Sequence, residues 1–228
     1  MMTKTIIISL GGSLIAPDGI DIVFLKRFRK VISDFVRRGN RAVMVCGGGN
    51  TCRKYQSAAR IINGRVDKND LDWIGIATTR LNAELVRSAF GQLAYEKIIY
   101  NPSAAVKTGK KIIIGAGFLP GSSSDKDAVL LAKNFNAGTL INLSNIKYVY
   151  DKDPNKFKGA KPYKKISWKE FKKIVGDKWL PGKHTPFDPV ASKLAAKIGM
   201  ELIITRGSDL KNLKNILNGK KFTGTIVH

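Results

Sequence analysis

The sequence predicts an α/β protein, a three-layer αβα sandwich whose central sheet is mostly parallel. Short apolar runs rich in β-branched residues alternate with longer segments whose apolar residues recur at helical spacing. Glycine-rich loops follow three of the apolar runs. The length of 228 residues, 43% of them apolar, suits one domain with a substantial core.

The alternation predicts the elements in chain order. Strands are predicted at residues 4–10, 41–46, 96–100, 111–115, 139–143, 201–205 and 223–227. Helices are predicted at residues 21–38, 50–62, 67–90, 125–136, 167–175, 188–198 and 209–217. In the first helix Leu25, Phe28 and Ile32 keep the helical period, and Gly39 is the stop signal. Residues 148–163 are predicted to form an irregular hairpin.

Three glycine-rich loops are the strongest indication of function. They are Ser9-Leu10-Gly11-Gly12-Ser13, Gly47-Gly48-Gly49-Asn50, and Gly115-Ala116-Gly117 continuing through Pro120-Gly121-Ser122-Ser123-Ser124-Asp125. Glycine lets the backbone come close to a ligand, and N–H groups at a helix start bind anions. Three such loops on one parallel sheet predict a site that holds several phosphates at once, as phosphoryl transfer requires.

Several other classes of protein are disfavoured. The chain has no GxxxxGK[ST] loop and no HRD or DFG signature, and its GxGxxxG is one residue too long for the dinucleotide fingerprint. Cys46 and Cys52 are expected to be reduced packing residues, and His184 and His228 form no zinc cluster with them. No apolar run reaches the roughly 18 residues of a membrane helix, and no signal peptide is expected, so a cytoplasmic protein is predicted.

The charge is unusual, at +23 with 40 basic and 17 acidic residues. Lysine is densest in residues 147–183, where aromatic residues are interleaved, so a surface for single-stranded nucleic acid is one interpretation. A solvated lysine face over ordinary core aromatics is the favoured interpretation. A positive field also attracts anionic nucleotides, so charge alone does not separate an enzyme from a nucleic-acid-binding protein.

The ordered series of motifs resembles the amino acid kinase superfamily, and within it the archaeal type of uridylate (UMP) kinase. The resemblance covers nearly the whole chain. Besides the glycine loops, its landmarks are Arg53-Lys54-Tyr55, Asp72-Trp73-Ile74-Gly75-Ile76, Thr79-Arg80-Leu81-Asn82-Ala83, Val149-Tyr150 with Asp153-Pro154, and Asp188-Pro189 through Lys193.

The resemblance implies a single amino acid kinase-like domain over residues 1–228 that transfers the γ-phosphoryl group of ATP to UMP, a step of pyrimidine nucleotide synthesis. It implies an acceptor portion at about residues 1–143, an ATP portion at about 144–228, a Mg²⁺ cofactor, and a hexamer built from dimers. The ATP-binding residues would be Ser9, Leu10, Gly11, Gly12, Ser13, Gly49, Arg53, Ser144, Tyr150 and Asp153. The UMP-binding residues would be Gly48, Asp72, Gly117, Phe118, Leu119, Pro120, Gly121, Ser122, Ser123 and Ser124. Gly12, Arg53 and Asp125 would be catalytic, with Asp125 near Mg²⁺.

The chain departs from the family pattern at three places. Ser9 stands where many members have a lysine, which leaves Arg53, Lys126, Lys193 or Mg²⁺ as the cation at the transferred phosphate. Lys147-Tyr148 replaces a usual Asp-Gly, and Phe118-Leu119 replaces a more polar pair in the acceptor loop.

Simpler and competing interpretations stay open at this point. Asp72 and Asp125 would each also serve as a helix cap. A second interpretation keeps the fold but changes the acceptor to isopentenyl phosphate or a carboxylate. Isopentenyl phosphate kinases have a histidine near the second glycine-rich loop, where this chain has Cys46. A degenerate relative would bind nucleotide or nucleic acid without catalysis.

Overall fold

Seven strands form the main sheet of the computed structural model, which describes residues 3–121, 123–154, 156–178 and 185–228. The described residues form nine strands in all: β1 (Thr5–Leu10), β2 (Arg41–Cys46), β3 (Ile112–Gly115), β4 (Thr139–Ser144), β5 (Val149–Tyr150), β6 (Pro162–Tyr163), β7 (Lys165–Ile166), β8 (Glu201–Arg206) and β9 (Thr225–Val227). The order in the main sheet is β3-β2-β1-β4-β8-β9-β7. Strands β5 and β6 pair antiparallel in a small second sheet, which confirms the predicted hairpin.

The main sheet is parallel except at one junction. β1 pairs in parallel with β2 and β4, β2 with β3, and β4 with β8. Only the pairing of β9 with β8 is antiparallel among the described strands of this sheet. In register, Ser9 lies beside Val45 on one side and Asn142 on the other. The carboxyl ends of β1, β2, β3 and β4 therefore meet at one edge.

Helices cover both faces of this sheet. They are α1 (Gly12–Ile15), α2 (Ile22–Arg37), α3 (Gly49–Ile62), α4 (Lys68–Phe90), α5 (Ser124–Asn134), α6 (Trp168–Val175), α7 (Pro189–Lys197) and α8 (Leu210–Leu217). Alternate residues of β1 face opposite sides: Ile6 and Ile8 pack with α2, α4 and α8, whereas Ile7 packs with α5, α6 and α7. The predicted three-layer αβα sandwich is confirmed.

The predicted strand at residues 96–100 is wrong. This segment touches β3 only through isolated bridges, Ala94 with Ile112 and Ile99 with Gly115. Between the two bridges the exposed residues Glu96 and Lys97 form a bend, so the segment runs beside β3 without a continuous ladder. The sequence also gave no indication of α1 and β7, which have four and two residues and are too short to show a period.

Two acidic residues that the sequence offered as helix caps, Asp72 and Asp125, are not the caps of their helices. Helix α4 is capped by Asp67, whose side chain accepts from the Asp70 N–H, so Asp72 is not a cap. Helix α5 is capped by Ser123, whose hydroxyl accepts from the Asp125 N–H, so Asp125 is not a cap either. Both carboxylates lie inside their helices, and their oxygens bond to other parts of the fold.

Candidate active site

The three glycine loops lie together at the carboxyl edge of the sheet. We define the first glycine loop as residues 11–13, the second as 47–49 and the third as 117–121. They follow β1, β2 and β3, which are adjacent in the sheet. Parallel pairing alone thus brings the three loops side by side. The sequence-based expectation that the three loops belong to one parallel sheet is confirmed.

The first and second glycine loops are in backbone contact. A Cβ atom on Gly12 would lie 2.1 Å from the Gly49 nitrogen, and one on Gly49 would lie 2.3 Å from the Gly12 carbonyl carbon. Gly49 also has a φ of +66°, which favours glycine. The Gly11 N–H donates to the Leu143 carbonyl at 3.1 Å and joins the first loop to the end of β4. No larger residue fits at either junction position without moving backbone.

Helix α4 holds the second glycine loop by side-chain hydrogen bonds. The Asn82 amide Nδ2 donates to the Gly47 carbonyl at 2.8 Å and to the Gly48 carbonyl at 3.3 Å. A Cβ on Gly48 would lie 2.9 Å from Thr78 Oγ1, so the loop rests directly on the helix. Asn82 is buried. The sequence reasoning gave it no role in the site.

The third glycine loop is held from two helices. Its Gly117 N–H donates to Thr79 Oγ1 at 2.8 Å, and its Gly121 N–H donates to Asp72 Oδ2 at 2.8 Å, both on α4. Its Phe118 N–H donates to Asp127 Oδ2 on α5 at 3.2 Å. Asp72, Thr79 and Asn82 recur at helical spacing along the buried face of α4, a polar stripe that a helical projection of the sequence would have revealed.

Arg53 lies beside the first glycine loop. Its guanidinium Nη2 donates to Ser13 Oγ at 3.2 Å from the first turns of α3. The Lys193 Nζ instead lies 3.1 Å from Asp177 Oδ1 in an ion pair. Among the candidate side-chain cations, Arg53 is the one with a bond to a glycine loop in the described part of the chain.

Ser9 and two aspartates form a hydrogen-bonded group at the end of β1. The Ser9 hydroxyl donates to Asp125 Oδ1 at 2.7 Å, and the Asp188 N–H donates to Asp125 Oδ2 at 3.2 Å. Burial raises the pKa of Asp125 to about 6, and the Asp188 charge adds to this, against the hydrogen bond from Ser9. The side chain of Asp188 caps α7 and accepts the Ser123 N–H at 3.0 Å.

Asp127 completes this acidic group from the same first turn of α5. It is buried, and burial raises its pKa to about 7. The Phe118 N–H and the Lys126 charge lower that pKa, whereas the charges of Asp125 and Asp188 raise it. Asp127 and Asp188 were both missed as site residues by the sequence reasoning.

The predicted ATP end lies on the other side of β4. The Ser144 carbonyl accepts the Gly207 N–H at 2.8 Å. Tyr150 lies on the small second sheet, with its ring edge-on to that of Tyr148 at 6.4 Å between centroids. The Asp153 carbonyl accepts the N–H groups of residues 156 and 157 in the following turn. Ser122 and His184 lie outside the described residues.

Burial disfavours the thiolate form of both cysteines. Cys46 and Cys52 are free cysteines. Burial raises the pKa of Cys46 to about 12 and raises that of Cys52 as well, which the Thr78 hydroxyl and nearby arginines only partly oppose. Both are protonated packing residues, as expected. Within the described residues, no helix is long and apolar enough to cross a membrane.

Comparison with known proteins shows what the chain is similar to. The model of the amino acid kinase family matches residues 4–206. The chain is 36% identical to a uridylate kinase of Methanospirillum hungatei over 98% of this chain and 94% of that protein. It is also 36% identical to a uridylate kinase of Sulfolobus acidocaldarius over 89% of this chain and 90% of that protein. The solved structure of uridylate kinase from Archaeoglobus fulgidus superposes with a TM-score of 0.84 at 28% identity, covering 98% of this chain and 99% of that one.

Proposed function

The chain belongs to the amino acid kinase family, and we propose that it transfers the γ-phosphoryl group of ATP to UMP, giving ADP and UDP. The observation that supports this most is the backbone contact between the first and second glycine loops, with Arg53 bonded to Ser13 beside it. Two phosphate-binding loops that touch can present a donor and an acceptor phosphate to each other. The match to uridylate kinases along nearly the whole chain favours UMP over isopentenyl phosphate or a carboxylate as acceptor.

On the donor side, the residues of the first glycine loop would surround the ATP phosphates. Gly11, Gly12 and Ser13 bring only backbone and one hydroxyl to this edge, so N–H groups can approach phosphate oxygens closely. The Arg53 guanidinium, already at Ser13, can hold two phosphate oxygens with its planar fork. Catalysis then consists of alignment and charge neutralisation, with no covalent intermediate on the enzyme.

On the acceptor side, Gly48 would approach the UMP phosphate and the third glycine loop would take the nucleoside. Asp72 offers its second carboxylate oxygen to the ribose hydroxyls, since its Oδ2 accepts the Gly121 N–H. Ser123 and Ser124 are at the N-terminal end of α5, where N–H groups favour a phosphate. Ser122, outside the described residues, belongs to the same proposed set.

Mg²⁺ fits as an ion that arrives with ATP. In the described residues, no group of three or more His, Cys, Asp or Glu side chains is arranged to hold a metal ion by itself. Asp125 and Asp188 nevertheless place two carboxylates together at the loop edge, and a divalent cation beside Asp125 would offset their charge. The ion would supply neutralisation of phosphate charge when bound.

The cation that takes the place of the family lysine at Ser9 is proposed to be Arg53. Ser9 Oγ is bonded to Asp125, so this position orients a carboxylate. Lys193 is instead paired with Asp177. We assign the adenosine end of ATP to Ser144, Tyr150 and Asp153, with residues up to about 143 forming the acceptor portion and the remainder the ATP portion.

An oligomer, a hexamer built from dimers, is part of the proposal. Exposed apolar residues lie on the adjacent helices α3 and α4, at Tyr55, Ile62, Trp73 and Leu81. Ile62 is 86% and Leu81 65% exposed, which suits a contact with a second copy. Light scattering should show smaller particles for Leu81→Glu, whereas Val23→Glu, at an exposed residue on α2, should leave the mass unchanged. An unchanged mass for Leu81→Glu would contradict this interface.

A coupled ADP-release assay tests the function. ATP and Mg²⁺ are offered with UMP, CMP, dUMP, AMP or isopentenyl phosphate in parallel. Turnover is expected with UMP and loss of turnover with Arg53→Ala. No turnover with any acceptor, together with RNA binding that falls steeply with salt, would instead support the nucleic-acid-binding alternative.

We propose a cytoplasmic location because both substrates are soluble nucleotides.

A further inference from the structure

We propose that Asp127 is a positioning residue for the acceptor, a role that rests on the proposed function. Its carboxylate sets the place of the Phe118 backbone in the third glycine loop, and that loop is where the nucleoside of UMP would lie. The hydrogen bond from Phe118 N–H to Asp127 Oδ2 is 3.2 Å long. It is the attachment of this loop to α5, whereas Thr79 and Asp72 hold it from α4.

Hydrogen bonds from α4 and α5 define the shape of the third glycine loop. Thr79 fixes Gly117 at its start and Asp72 fixes Gly121 at its end. Between them Phe118 is half-buried and Leu119 is 52% exposed, so this pair presents apolar surface at the mouth of the site. Without the bond to Asp127, the peptide before Phe118 would be free to rotate, and both apolar side chains would change direction. Asp127 thus acts on the acceptor through the backbone, without touching it.

A purely structural role explains Asp127 poorly. A carboxylate in the first turn of a helix favours the helix dipole, but an exposed one does so without being desolvated. Asp127 is only 6% exposed and lies near the charges of Asp125 and Asp188. Among the charges that act on Asp127, Lys126 is the one cation, and it lowers the Asp127 pKa. An apolar residue at this position would avoid the cost of burying a charge, so the bond to the loop is the feature that a carboxylate contributes.

The two elements that pack most closely on α5 bring no other charge to this spot. Helix α7 contributes Asp188 at its start, and β1 contributes the neutral Ser9. The other charged groups that act on Asp127 are Asp125 and Lys126 on its own helix. Among the described residues, the Phe118 N–H is therefore the direct hydrogen-bond donor to Asp127 on which the orientation of its carboxylate depends.

The test is a comparison of Asp127→Asn with Asp127→Leu, measuring kcat and the KM values for UMP and ATP separately. The amide oxygen of Asp127→Asn can accept the Phe118 N–H, so its KM for UMP should stay within about twofold of the wild-type value. Asp127→Leu cannot accept that bond, and we expect its KM for UMP to rise about tenfold with KM for ATP and kcat changed less than about twofold. Asp127→Ala, which adds no bulk, gives the same expectation if the leucine variant does not fold. Asp34→Asn, at an exposed carboxylate on α2, is the matched control.

The outcomes separate this inference from the proposed function. Wild-type turnover of UMP with an unchanged KM for UMP in Asp127→Leu or Asp127→Ala overturns the inference alone. So does a uniform loss of kcat and both affinities in Asp127→Asn, because that pattern indicates a fold defect. A wild-type protein without UMP turnover overturns the proposed function, and the inference with it.

Discussion

The acceptor side and the donor side of this molecule are built differently. On the acceptor side, side chains from helices bond directly to the backbone of the glycine loops, as Asn82 does to Gly47 and Thr79 to Gly117. On the donor side, β5 and β6 have two residues each and form a sheet of their own. That sheet joins the main one through contacts such as the Val149 N–H to Thr225 Oγ1 at 2.9 Å.

The two sides therefore differ in the source of their rigidity. The acceptor loops are fixed by the protein before any substrate binds, since each is bonded to a helix at several points. The proposed adenosine end is a small sheet with partly exposed aromatic residues, and under this proposal much of its order would come from contact with ATP. We therefore expect changes to the residues that hold the acceptor loops to alter UMP binding or stability, and changes in the small second sheet to affect ATP affinity alone.

The largest effect is expected at the junction of the two glycine loops. A methyl group in Gly12→Ala would lie 2.1 Å from the Gly49 nitrogen, which backbone movement alone can relieve. We expect a loss of about 3 kcal/mol in the free energy of unfolding, measured by urea denaturation, and at least a hundredfold loss of kcat/KM. Gly19→Ala is the control because a Cβ there meets nothing within 4 Å. Equal stability of the two variants would refute the tight junction.

The next largest effect is expected at Arg53. Arg53→Ala should lower kcat/KM about a hundredfold to a thousandfold, as is typical when one group that stabilises transition-state charge is removed. The melting temperature should change little because Arg53 is exposed and its bond to Ser13 is at the surface. Lys54→Ala, one residue along the same helix and also exposed, should keep full activity. If both variants lose activity equally, a general positive field rather than Arg53 assists transfer.

Stability on the acceptor side should depend on pH through Asp127. Its pKa is raised from 3.8 to about 7 in the folded protein, so the folded state binds the extra proton between these values. Wild-type stability relative to Asp127→Asn should fall as pH rises from about 4 to 7 and stay constant above that, by about 2–4 kcal/mol in total. Urea unfolding at several pH values measures it, and a stability difference that does not change with pH would contradict the burial of this carboxyl.

The smallest effect is expected on the donor side. Tyr150→Ala should raise the KM for ATP about fivefold and leave the KM for UMP unchanged, because an aromatic ring stacked on a base contributes about 1–3 kcal/mol at most. Phe157→Ala, at an exposed aromatic residue in the same segment, is the control. A change in the KM for UMP would show that the two sides are not separate.

The fold could be predicted well from the sequence because its signals are local. Apolar runs such as Arg41–Cys46 and amphipathic segments such as Ile22–Arg37 carry their own period. The segment at residues 96–100 failed because an apolar run beside an edge strand need not pair along its length. The order of the glycine motifs identified the family, which the match to residues 4–206 confirms.

The supporting residues of the site could not be predicted from loop motifs. Asn82, Asp127 and Asp188 act through hydrogen bonds to residues 35, 9 and 65 positions away, so their roles exist only once the chain is folded. Asp72 and Asp125 looked like helix caps, and the actual caps, Asp67 and Ser123, stand at earlier positions. Capping rules predict that a polar side chain bonds to backbone two or three residues away, whereas these side chains bond to residues farther along the chain.

The most direct test is a ³¹P NMR time course of the protein with ATP, Mg²⁺ and UMP. Direct transfer between the two touching loops predicts that ADP and UDP appear in equal amounts and that no inorganic phosphate is released. Formation of ADP with inorganic phosphate, or no reaction while UMP stays unchanged, would contradict it.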